Sequence, residues 1–430
     1  MKIINTTDSN FNKEFENILA RAKTDIKGVS SIVTNIIDDI VDNGNSAIKQ
    51  HISKFDKWEV KEDSDLEISI DDMKKAYENL DDKLRQSLHT AYDRIKSYHE
   101  KQLPKSWIDF EKNGSILGQK VTAVDRAGLY IPGGKAAYPS SLLMNAIPAI
   151  VAGVEEIVVC TPTPNDEINE LLLAACHICG ITKAFKVGGA SAIAAMAYGT
   201  ETIPKVDVIT GPGNIFVATA KKLVFGEVNI DMIAGPSEIG ILSDASANPR
   251  FLAIDLLSQA EHDEMASSIM ITTCDKVAEL TSIEVDRFLE DLSRREIAKK
   301  SIDDRGAIII ASSMDEAIKL MNEIAPEHLE VMTNNAFELL PKIKHAGAIF
   351  LGKNTPEPIG DYIAGPNHTL PTGSTAKFYS PLNVENFLKK SSIISFSQEA
   401  IDELGEACAL LADTEGLTAH AKSVRVRLEK

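Results

Sequence analysis

Residues 184–214 read AFKVGGASAIAAMAYGTETIPKVDVITGPGN and hold two short apolar runs, each followed by a glycine turn and a helical pattern. The runs cover 184–187 and 206–209, and helices are predicted from residue 191 and from residue 214. Parallel strands need a crossover connection, and strand, helix and strand at this spacing indicate right-handed βαβ units. This stretch therefore predicts a parallel sheet.

The same alternation extends outward in both directions. On the amino-terminal side it adds a strand at 156–160 and a helix near 167–179. On the carboxyl-terminal side a second series begins at 239–242 and continues through a helix near 248–261, a strand at 268–273, a helix near 276–293, a strand at 307–310 and a helix from 314. We therefore predict an α/β protein with two incomplete Rossmann-like parallel-sheet domains and helical N- and C-terminal segments.

The two ends of the chain differ from this middle. Residues 70–95 carry apolar side chains three and four apart, which predicts amphipathic helices, and the pattern after about residue 380 is helical again. Asn113-Gly114 separates two short runs and predicts a β-hairpin with a type I′ turn. The predicted divisions are an N-terminal helical segment at 1–24, a first α/β domain at 25–128 and 237–379, a second at 129–236, and a C-terminal helical tail at 380–430.

Composition limits the classes of partner. The 430 residues carry 45 Lys and Arg against 63 Asp and Glu, so the net charge is −18. Such a surface repels phosphate backbones and anionic lipid, and we expect neither nucleic acid nor membrane as a partner. The five cysteines are sparse, and the first residues, MKIINTTDSN, lack the apolar core of a secretory signal. These features predict a reducing, cytoplasmic setting.

Three glycine turns follow predicted strands or precede predicted helices: Gly133-Gly134, Gly188-Gly189 and Gly211-Pro-Gly213. Helix N-termini at such turns favour anionic groups, so a dinucleotide pyrophosphate could bind there. The last turn departs from the dinucleotide fingerprint, because Phe216 stands where a third glycine belongs and Asp231 is the acid left to bind a ribose. The turns alone leave open whether a nucleotide binds.

Four polar constellations could carry chemistry. Gln259 and His262 are three apart near a helix end, a spacing that can present an amide oxygen and an imidazole to one metal ion, although a lone histidine there is more often solvated. Pro326 at a helix N1 position would precede the neighbours Glu327 and His328, which are either a proton-transfer pair or a cap beside a packed histidine. The long Gly/Pro-rich loop at 356–373 holds Asp361 and His368, and the segment at 415–420 holds Glu415 and His420. Five other histidines lie in helical contexts without an evident partner and are assigned no role: His51, His89, His99, His177 and His345.

These fragments, in this order, resemble the histidinol dehydrogenase family over about residues 30–430. The resemblance rests on eight runs: YIPGG at 130–134, VGGASAIAAMAYGT at 187–200, GPGN at 211–214, DMIAGPSE at 231–238, SQAEHD at 258–263, PEHLE at 326–330, GPNHTLPT at 365–372 and EGLTAH at 415–420. It implies NAD-dependent, four-electron oxidation of L-histidinol to L-histidine through a bound aldehyde, the last two steps of histidine biosynthesis.

The resemblance also implies roles for individual residues. The family's zinc ligands, one ion per subunit, fall on Gln259, His262, Asp361 and His420, and its catalytic pair falls on Glu327 and His328. Substrate contacts fall on Ser237, His328, His368 and Glu415 as well as on the metal ligands. NAD contacts fall on Tyr130, Asn214 and Ser191. Ser191 departs from the family, which usually has a glutamine there, so a weaker contact to the cofactor is expected. A homodimer that shares its active sites between subunits is also implied.

In this chemistry His328 is the general base, a role that suits a neutral imidazole, and Glu327 activates the attacking water. Alternatives remain open at this stage. A related zinc- and NAD-dependent dehydrogenase of another polar alcohol would keep the fold and change the pocket. A zinc hydrolase could use the same ligands but would leave the glycine turns without a role, and a non-catalytic NAD-binding module would leave Glu327 and His328 unexplained.

Overall fold

The computed structural model describes residues 1–21, 28–133 and 138–429. Gly134 of the first glycine turn and the predicted boundary at 24/25 lie outside these residues. Within the described ranges, the helices are all too short or too polar to cross a lipid bilayer.

The elements alternate as predicted through the middle of the chain. The strands are β1 (Lys2–Asn5), β2 (Trp107–Phe110), β3 (Ile116–Ala123), β4 (Arg126–Tyr130), β5 (Glu156–Cys160), β6 (Lys183–Phe185), β7 (Val208–Thr210), β8 (Asn229–Ile230), β9 (Glu238–Ser243), β10 (Ser267–Thr272), β11 (Ala307–Ile310), β12 (His328–Met332), β13 (Ala348–Leu351) and β14 (Leu388–Ser395). The helices are α1 (Phe11–Arg21), α2 (Ser30–Phe55), α3 (Ile70–Glu78), α4 (Asp82–Glu100), α5 (Pro139–Ala152), α6 (Glu170–Ile178), α7 (Gly189–Tyr198), α8 (Ile215–Val224), α9 (Pro249–Ala260), α10 (Asp275–Leu289), α11 (Arg295–Arg305), α12 (Met314–Ile324), α13 (Ala336–Leu339), α14 (Glu357–Ile359), α15 (Gln398–Thr414) and α16 (Thr418–Arg425).

Two parallel sheets confirm the predicted fold class. The six-stranded sheet has the order β1-β11-β10-β9-β12-β13, and the five-stranded sheet has the order β6-β5-β4-β7-β8. All pairs in both sheets are parallel. Every residue of β9, β10 and β12 is buried, which agrees with the near-continuous apolar runs of strands covered on both faces.

The first residues of the chain were expected to be helical, and this expectation is wrong for 2–5. They form β1, which pairs in parallel with β11 at the edge of the six-stranded sheet. A strand this short has too few residues to show an alternating pattern, so its place depends on the distant partner strand.

A separate antiparallel sheet joins the hairpin to the C-terminal segment, in the order β14-β3-β2. The hairpin is confirmed, but its turn is not type I′: Gly114 has a φ of 78°, whereas Asn113 is not among the described non-glycine residues of positive φ. Glu111 carbonyl accepts from the Gly114 N–H, and Ser115 carbonyl accepts from the Glu111 N–H, which makes a longer five-residue loop. The C-terminal segment, expected to be helical, begins with β14 before α15 and α16.

The chain forms two compact units. One comprises Met1–Gln102 and Asp125–Phe387, and contains both parallel sheets. The other comprises Leu103–Val124 and Leu388–Lys430, and contains the antiparallel sheet with α15 and α16.

Candidate active site

Glu327 and His328 lie where β12 begins. Ala325 ends α12 in the left-handed conformation, with a φ of 50°, and Pro326 follows it. The prediction that Pro326 starts a helix is therefore wrong, because the chain enters a central strand here and His328 pairs with Ile239 of β9. Glu327 and His328 are both buried, so their polar groups must find partners inside the protein.

His328 is held by a backbone carbonyl on one side and a carboxylate on the other. Its Nδ1 lies 3.2 Å from the Glu238 carbonyl oxygen, and its Nε2 lies 3.3 Å from Asp361 Oδ1. A carbonyl only accepts, so Nδ1 carries a proton and Nε2 is the nitrogen that can exchange one. Burial alone lowers the pKa of His328, but the charges of Glu357, Glu327 and Asp361 outweigh it and raise that pKa well above its ordinary value. The carboxylates of the chain thus make His328 a stronger base than a free imidazole.

Glu327 and Glu238 are both buried acids. Glu327 Oε2 accepts from the Glu238 N–H at 2.9 Å, and Glu238 Oε2 accepts from the Gly373 N–H at 3.1 Å. Burial raises the pKa of Glu327 to about 8, and burial raises the pKa of Glu238 to about 7. A carboxyl with a pKa near neutrality can both accept and return a proton, which general acid–base catalysis requires.

The long loop at 356–373 supplies the facing groups. It begins with the buried Glu357 on α14 and continues into a π-helix, Gly360–Ala364, that carries Asp361. Burial opposes ionisation of Asp361, but the hydrogen bond and charge of His328 keep the pKa of Asp361 below its ordinary value. His368 Nδ1 lies 3.0 Å from the Asp361 carbonyl oxygen, and burial lowers the pKa of His368. Single π-turns are frequent at functional sites.

Neighbours of His368 anchor this loop to the helix that covers the five-stranded sheet. Asn367 Nδ2 donates to the Met144 carbonyl oxygen of α5 at 2.6 Å, and Asn145 Nδ2 of the same helix lies 3.3 Å from Thr369 Oγ1. A cavity of about 640 Å³ borders Asp361 and Asn367. The loop is therefore fixed at both sides of His368.

Helix α9 brings Gln259 to the same cluster. Gln259 lies in the last turn of the helix and is fully buried, whereas His262 follows in the next turn and is exposed. The orientation that satisfies both amide atoms of Gln259 turns its nitrogen toward Glu357, where it donates to both carboxylate oxygens, at 2.5 and 2.8 Å. The amide oxygen then faces away from Glu357, as a metal ligand would need to. Although His262 as a whole residue is exposed, enough protein atoms surround its imidazole for desolvation to lower its pKa, with Asp361 opposing the shift, and this favours the neutral imidazole that binds metals.

Several side chains here suit a divalent cation. The ligand atoms of His328, Glu357 and Asp361 all lie within 4.8 Å of one another. Glu357 is not in the set implied by the family resemblance, and no feature of its sequence context, Pro356-Glu357-Pro358, identified it in advance. Together with Gln259 and His262, the cluster offers a metal ion one amide oxygen, imidazole nitrogens and carboxylate oxygens. Zinc accepts ligands of these kinds.

Two further buried acids escaped the sequence analysis. Asp255 of α9 and Glu330 of β12 share a hydrogen bond, and Glu330 Oε1 accepts from the Glu357 N–H at 2.8 Å. Burial raises the pKa of Asp255 to about 6 and, together with the charge of Asp255, raises the pKa of Glu330 well above its ordinary value. The only sign of these acids in the sequence is that each stands as a charged residue within an otherwise apolar segment.

The position of the cluster in the sheet is unusual for α/β proteins. Glu238 and His328 are the first residues of β9 and β12, and Ser237, which is half-buried, directly precedes β9. These groups therefore lie at the amino ends of the parallel strands, whereas ligands of open α/β sheets usually bind at the carboxyl ends.

The glycine turns occupy the usual edge of the other sheet. Tyr130 ends β4, and its hydroxyl accepts from the Gly189 N–H at 3.2 Å at the start of α7. Burial raises the pKa of Tyr130 to about 12. Gly211, after β7, has a φ of 119°, and a Cβ there would overlap the Tyr130 carbonyl oxygen, so only glycine fits. The turns after β4, β6 and β7 thus lie together at the carboxyl ends of the strands of the five-stranded sheet.

Asp231 cannot bind a ribose, as the sequence had suggested. Its side chain is inaccessible and forms an ion pair with the equally buried Lys221. Its Oδ2 accepts from the Gly211 N–H at 2.9 Å, while Lys221 Nζ donates to the Gly211 carbonyl oxygen at 2.9 Å. The pair therefore holds the backbone of the glycine turn.

The other residues implied by the resemblance lie as follows. Asn214 is exposed at the N-cap of α8, where its Oδ1 accepts from two backbone N–H groups and its amide nitrogen is left for other partners. Ser191 is buried in the first turn of α7, and its hydroxyl lies 2.9 Å from His51 Nδ1. Glu415 and His420 belong to the other compact unit, at the end of α15 and on α16, and both are exposed.

Comparison with known proteins agrees with this geometry. The family model described as histidinol dehydrogenase matches residues 19–428. The chain is 70% identical to histidinol dehydrogenase of Sulfurimonas denitrificans, with 98% of each chain covered, and 65% identical to that of Wolinella succinogenes, with 100% of this chain and 99% of the relative covered. The crystal structure of histidinol dehydrogenase from Elizabethkingia anophelis superposes with a TM-score of 0.94 at 34% identity, over 100% of this chain and 98% of that one. The chain therefore belongs to the histidinol dehydrogenase family.

Proposed function

We propose that the protein oxidises L-histidinol to L-histidine in the cytoplasm, with two molecules of NAD as hydride acceptors and one Zn²⁺ per subunit. The observation that carries the proposal is the buried Glu327-His328 pair, which faces Asp361 and Glu357 in a chain that is 70% identical to a histidinol dehydrogenase. The two catalytic steps are alcohol to bound aldehyde and hydrated aldehyde to carboxylate.

Each residue of the pair has a distinct task in these steps. In its neutral form His328 would keep one proton on Nδ1, toward the Glu238 carbonyl, so that Nε2 could take the proton from the alcohol and later from the hydrated aldehyde. Glu327, whose pKa burial raises to about 8, takes a proton from the attacking water. The carboxylates facing His328 stabilise its protonated form after the transfer.

Gln259, His262 and Asp361, with His420, would hold the zinc. Bound there, the ion would supply a Lewis-acidic centre for the imidazole and amino nitrogens of the substrate. Ser237, His368 and Glu415 would contact the substrate, and the turns that carry Tyr130, Ser191 and Asn214 would bind NAD. Since Gln259 and His262 bring no negative charge, the ion would keep affinity for neutral nitrogen ligands.

We also propose that two subunits share each site. His420 and Glu415 are exposed in the C-terminal unit, and that unit exposes apolar side chains which a partner would cover: Trp107, Ile108, Phe110, Ile394, Leu410 and Leu411. Obligate homodimers usually bury such patches. A second copy of the chain would receive the C-terminal helices.

The decisive experiment mixes enzyme, NAD and L-histidinol and measures NADH and histidine together. Two NADH per histidine are expected. A ratio near one would remove the four-electron assignment, and an absence of NADH production would favour the zinc hydrolase. Turnover of other polar alcohols in preference to histidinol would favour the related dehydrogenase. In parallel, His262→Ala should lose zinc on dialysis, whereas His177→Ala, on the distant helix α6, should retain it.

A further inference from the structure

His51 was assigned no role from the sequence, but the structure gives it two polar partners. Its Nδ1 lies 2.9 Å from Ser191 Oγ, and its Nε2 lies 3.0 Å from Asp39 Oδ2. Twelve residues of straight helix would separate Asp39 and His51 by about 18 Å, so they could not meet on a regular α2. Gly44 breaks the helix with a φ of 51° and a ψ of −129°, and the two halves then bring these side chains together.

The direction of each hydrogen bond follows from the chemistry of the partners. A carboxylate only accepts, so His51 Nε2 carries the proton that Asp39 receives. Neutral His51 then has an unprotonated Nδ1, and the Ser191 hydroxyl must donate to it. Desolvation lowers the pKa of His51 despite the charge of Asp39, which supports the neutral form. The lone pairs of Ser191 Oγ are what remains for a ligand.

We infer that Asp39 and His51 position the Ser191 hydroxyl as an obligate hydrogen-bond acceptor for a donor group of the nicotinamide nucleotide, a ribose hydroxyl or an amide N–H. The inference rests on the proposed function, in which Ser191 contacts NAD. The connectivity also matches that of a hydrolytic triad. We assign Ser191 binding and no covalent step, because a side chain that is 5% exposed can offer an oxygen edge for one hydrogen bond but not room for attack on a substrate. Asp39 and His51 are positioning residues, since they act through Ser191.

Asp39→Asn tests the direction of the hydrogen bonds that run from Ser191 through His51 to Asp39. The amide nitrogen of the introduced side chain can donate to His51 Nε2, which moves the proton to Nδ1 and turns the Ser191 hydroxyl into a competing donor, the wrong-tautomer effect known from hydrolytic triads. The Asp39 side chain is 36% exposed, so the fold should tolerate the change. We expect the Kd for NAD, measured by calorimetry on the zinc-loaded protein, to rise about three- to tenfold, as for one lost hydrogen bond.

The matched controls separate this role from a merely structural one. Ser191→Ala should weaken NAD binding by a similar factor, and Asp39→Asn combined with Ser191→Ala should be no weaker than Ser191→Ala alone, because the tautomer is irrelevant once the hydroxyl is gone. The KM for L-histidinol and the zinc content should not change. Nitrogen-15 NMR of His51, assigned with His51→Gln, should report the Nε2–H tautomer in the parent protein and Nδ1–H in Asp39→Asn.

Three results would overturn the inference: an unchanged Kd in either single variant, additive losses in the double variant, or an Nδ1–H tautomer in the parent protein. The proposed function fails differently, since the parent protein would then not bind NAD at all or would produce no NADH from histidinol. If the parent protein binds NAD but the losses in the two single variants add in the double variant, the positioning of Ser191 by Asp39 and His51 is rejected and the proposed function is not affected.

Discussion

In the orientation that satisfies both of its amide atoms, Gln259 turns its nitrogen toward Glu357 and donates to both carboxylate oxygens. Gln259 is one of the zinc ligands that the family resemblance implies, so Glu357 sets which way this ligand faces. Groups behind a metal ligand orient it, and their loss typically lowers metal affinity about 10- to 100-fold. Glu357→Gln can offer its own N–H to Gln259 and so allows the amide to turn over.

We therefore expect Glu357→Gln to bind zinc about tenfold or more weakly in competition with a chelator. The control is Glu338→Gln, an exposed glutamate on α13, which should match the parent protein. Equal zinc affinity in Glu357→Gln and the parent would show that Gln259 does not depend on Glu357.

Glu327→Gln should retain zinc and bind L-histidinol but turn over slowly. The amide has nearly the shape of the carboxyl, and its oxygen can still accept from the Glu238 N–H, so the pocket is preserved. It cannot take a proton from water, and general acid–base groups contribute about 10²- to 10⁴-fold. The measurement is single-turnover oxidation of the aldehyde with NAD, where a rate equal to that of the parent would exclude Glu327 from the chemistry.

The buried Glu238 makes the stability depend on pH in a defined direction. Burial raises its folded-state pKa to about 7, above the 4.5 that a glutamate has in an unfolded chain. Between these values the folded state binds more protons, so this group's contribution to the free energy of unfolding falls as pH rises through the window and is lost above about pH 7. Glu238→Gln should therefore gain stability relative to the parent between about pH 5 and about pH 8, measured by thermal unfolding. A difference that is constant over this range would contradict the shifted pKa.

The Lys221 and Asp231 pair should behave as a unit. Lys221→Met leaves an unpaired buried carboxylate and should lower the free energy of unfolding by about 3–5 kcal/mol. Adding Asp231→Asn removes that charge but keeps an oxygen for the Gly211 N–H, and part of the loss should return. Urea unfolding of the three proteins checks this, and a double variant less stable than Lys221→Met would show that the charge of Asp231 is needed for another reason.

Subunit mixing tests the shared site. Glu327→Ala and His420→Ala proteins, each nearly inactive alone, are combined under conditions that exchange subunits. If each tail serves the partner's site, half the dimers are mixed at random pairing and one of their two sites is intact, so about one quarter of the parent activity returns. Demonstrated exchange without any recovery would place His420 in the site of its own chain.

The sequence by itself determined the fold class and the family. Strand and helix periodicity is local, so 184–214 was enough to predict parallel βαβ units, and β5 and β11 begin and end where the apolar runs do. The order of the eight motifs indicated the family in the same way, because the order of motifs along a sequence does not depend on how the chain packs. The strands β1, which has four residues, and β14, which has eight but no alternation of apolar and polar side chains, were missed for the same reason: only their partner strands distinguish them from coil or helix.

Only the tertiary structure decided what the polar groups do. Asp231 reads as a free acid in sequence but is neutralised by Lys221, and His51 reads as an unpartnered helical histidine until the break at Gly44 brings Asp39 and α7 to it. Glu238, Glu330 and Glu357 come from three separate elements. Their pKa values are raised because the fold removes all three from water and, for Glu330 and Glu357, places other carboxylates nearby. Charge interaction and desolvation depend on distances through space, which the order of residues along the chain does not contain.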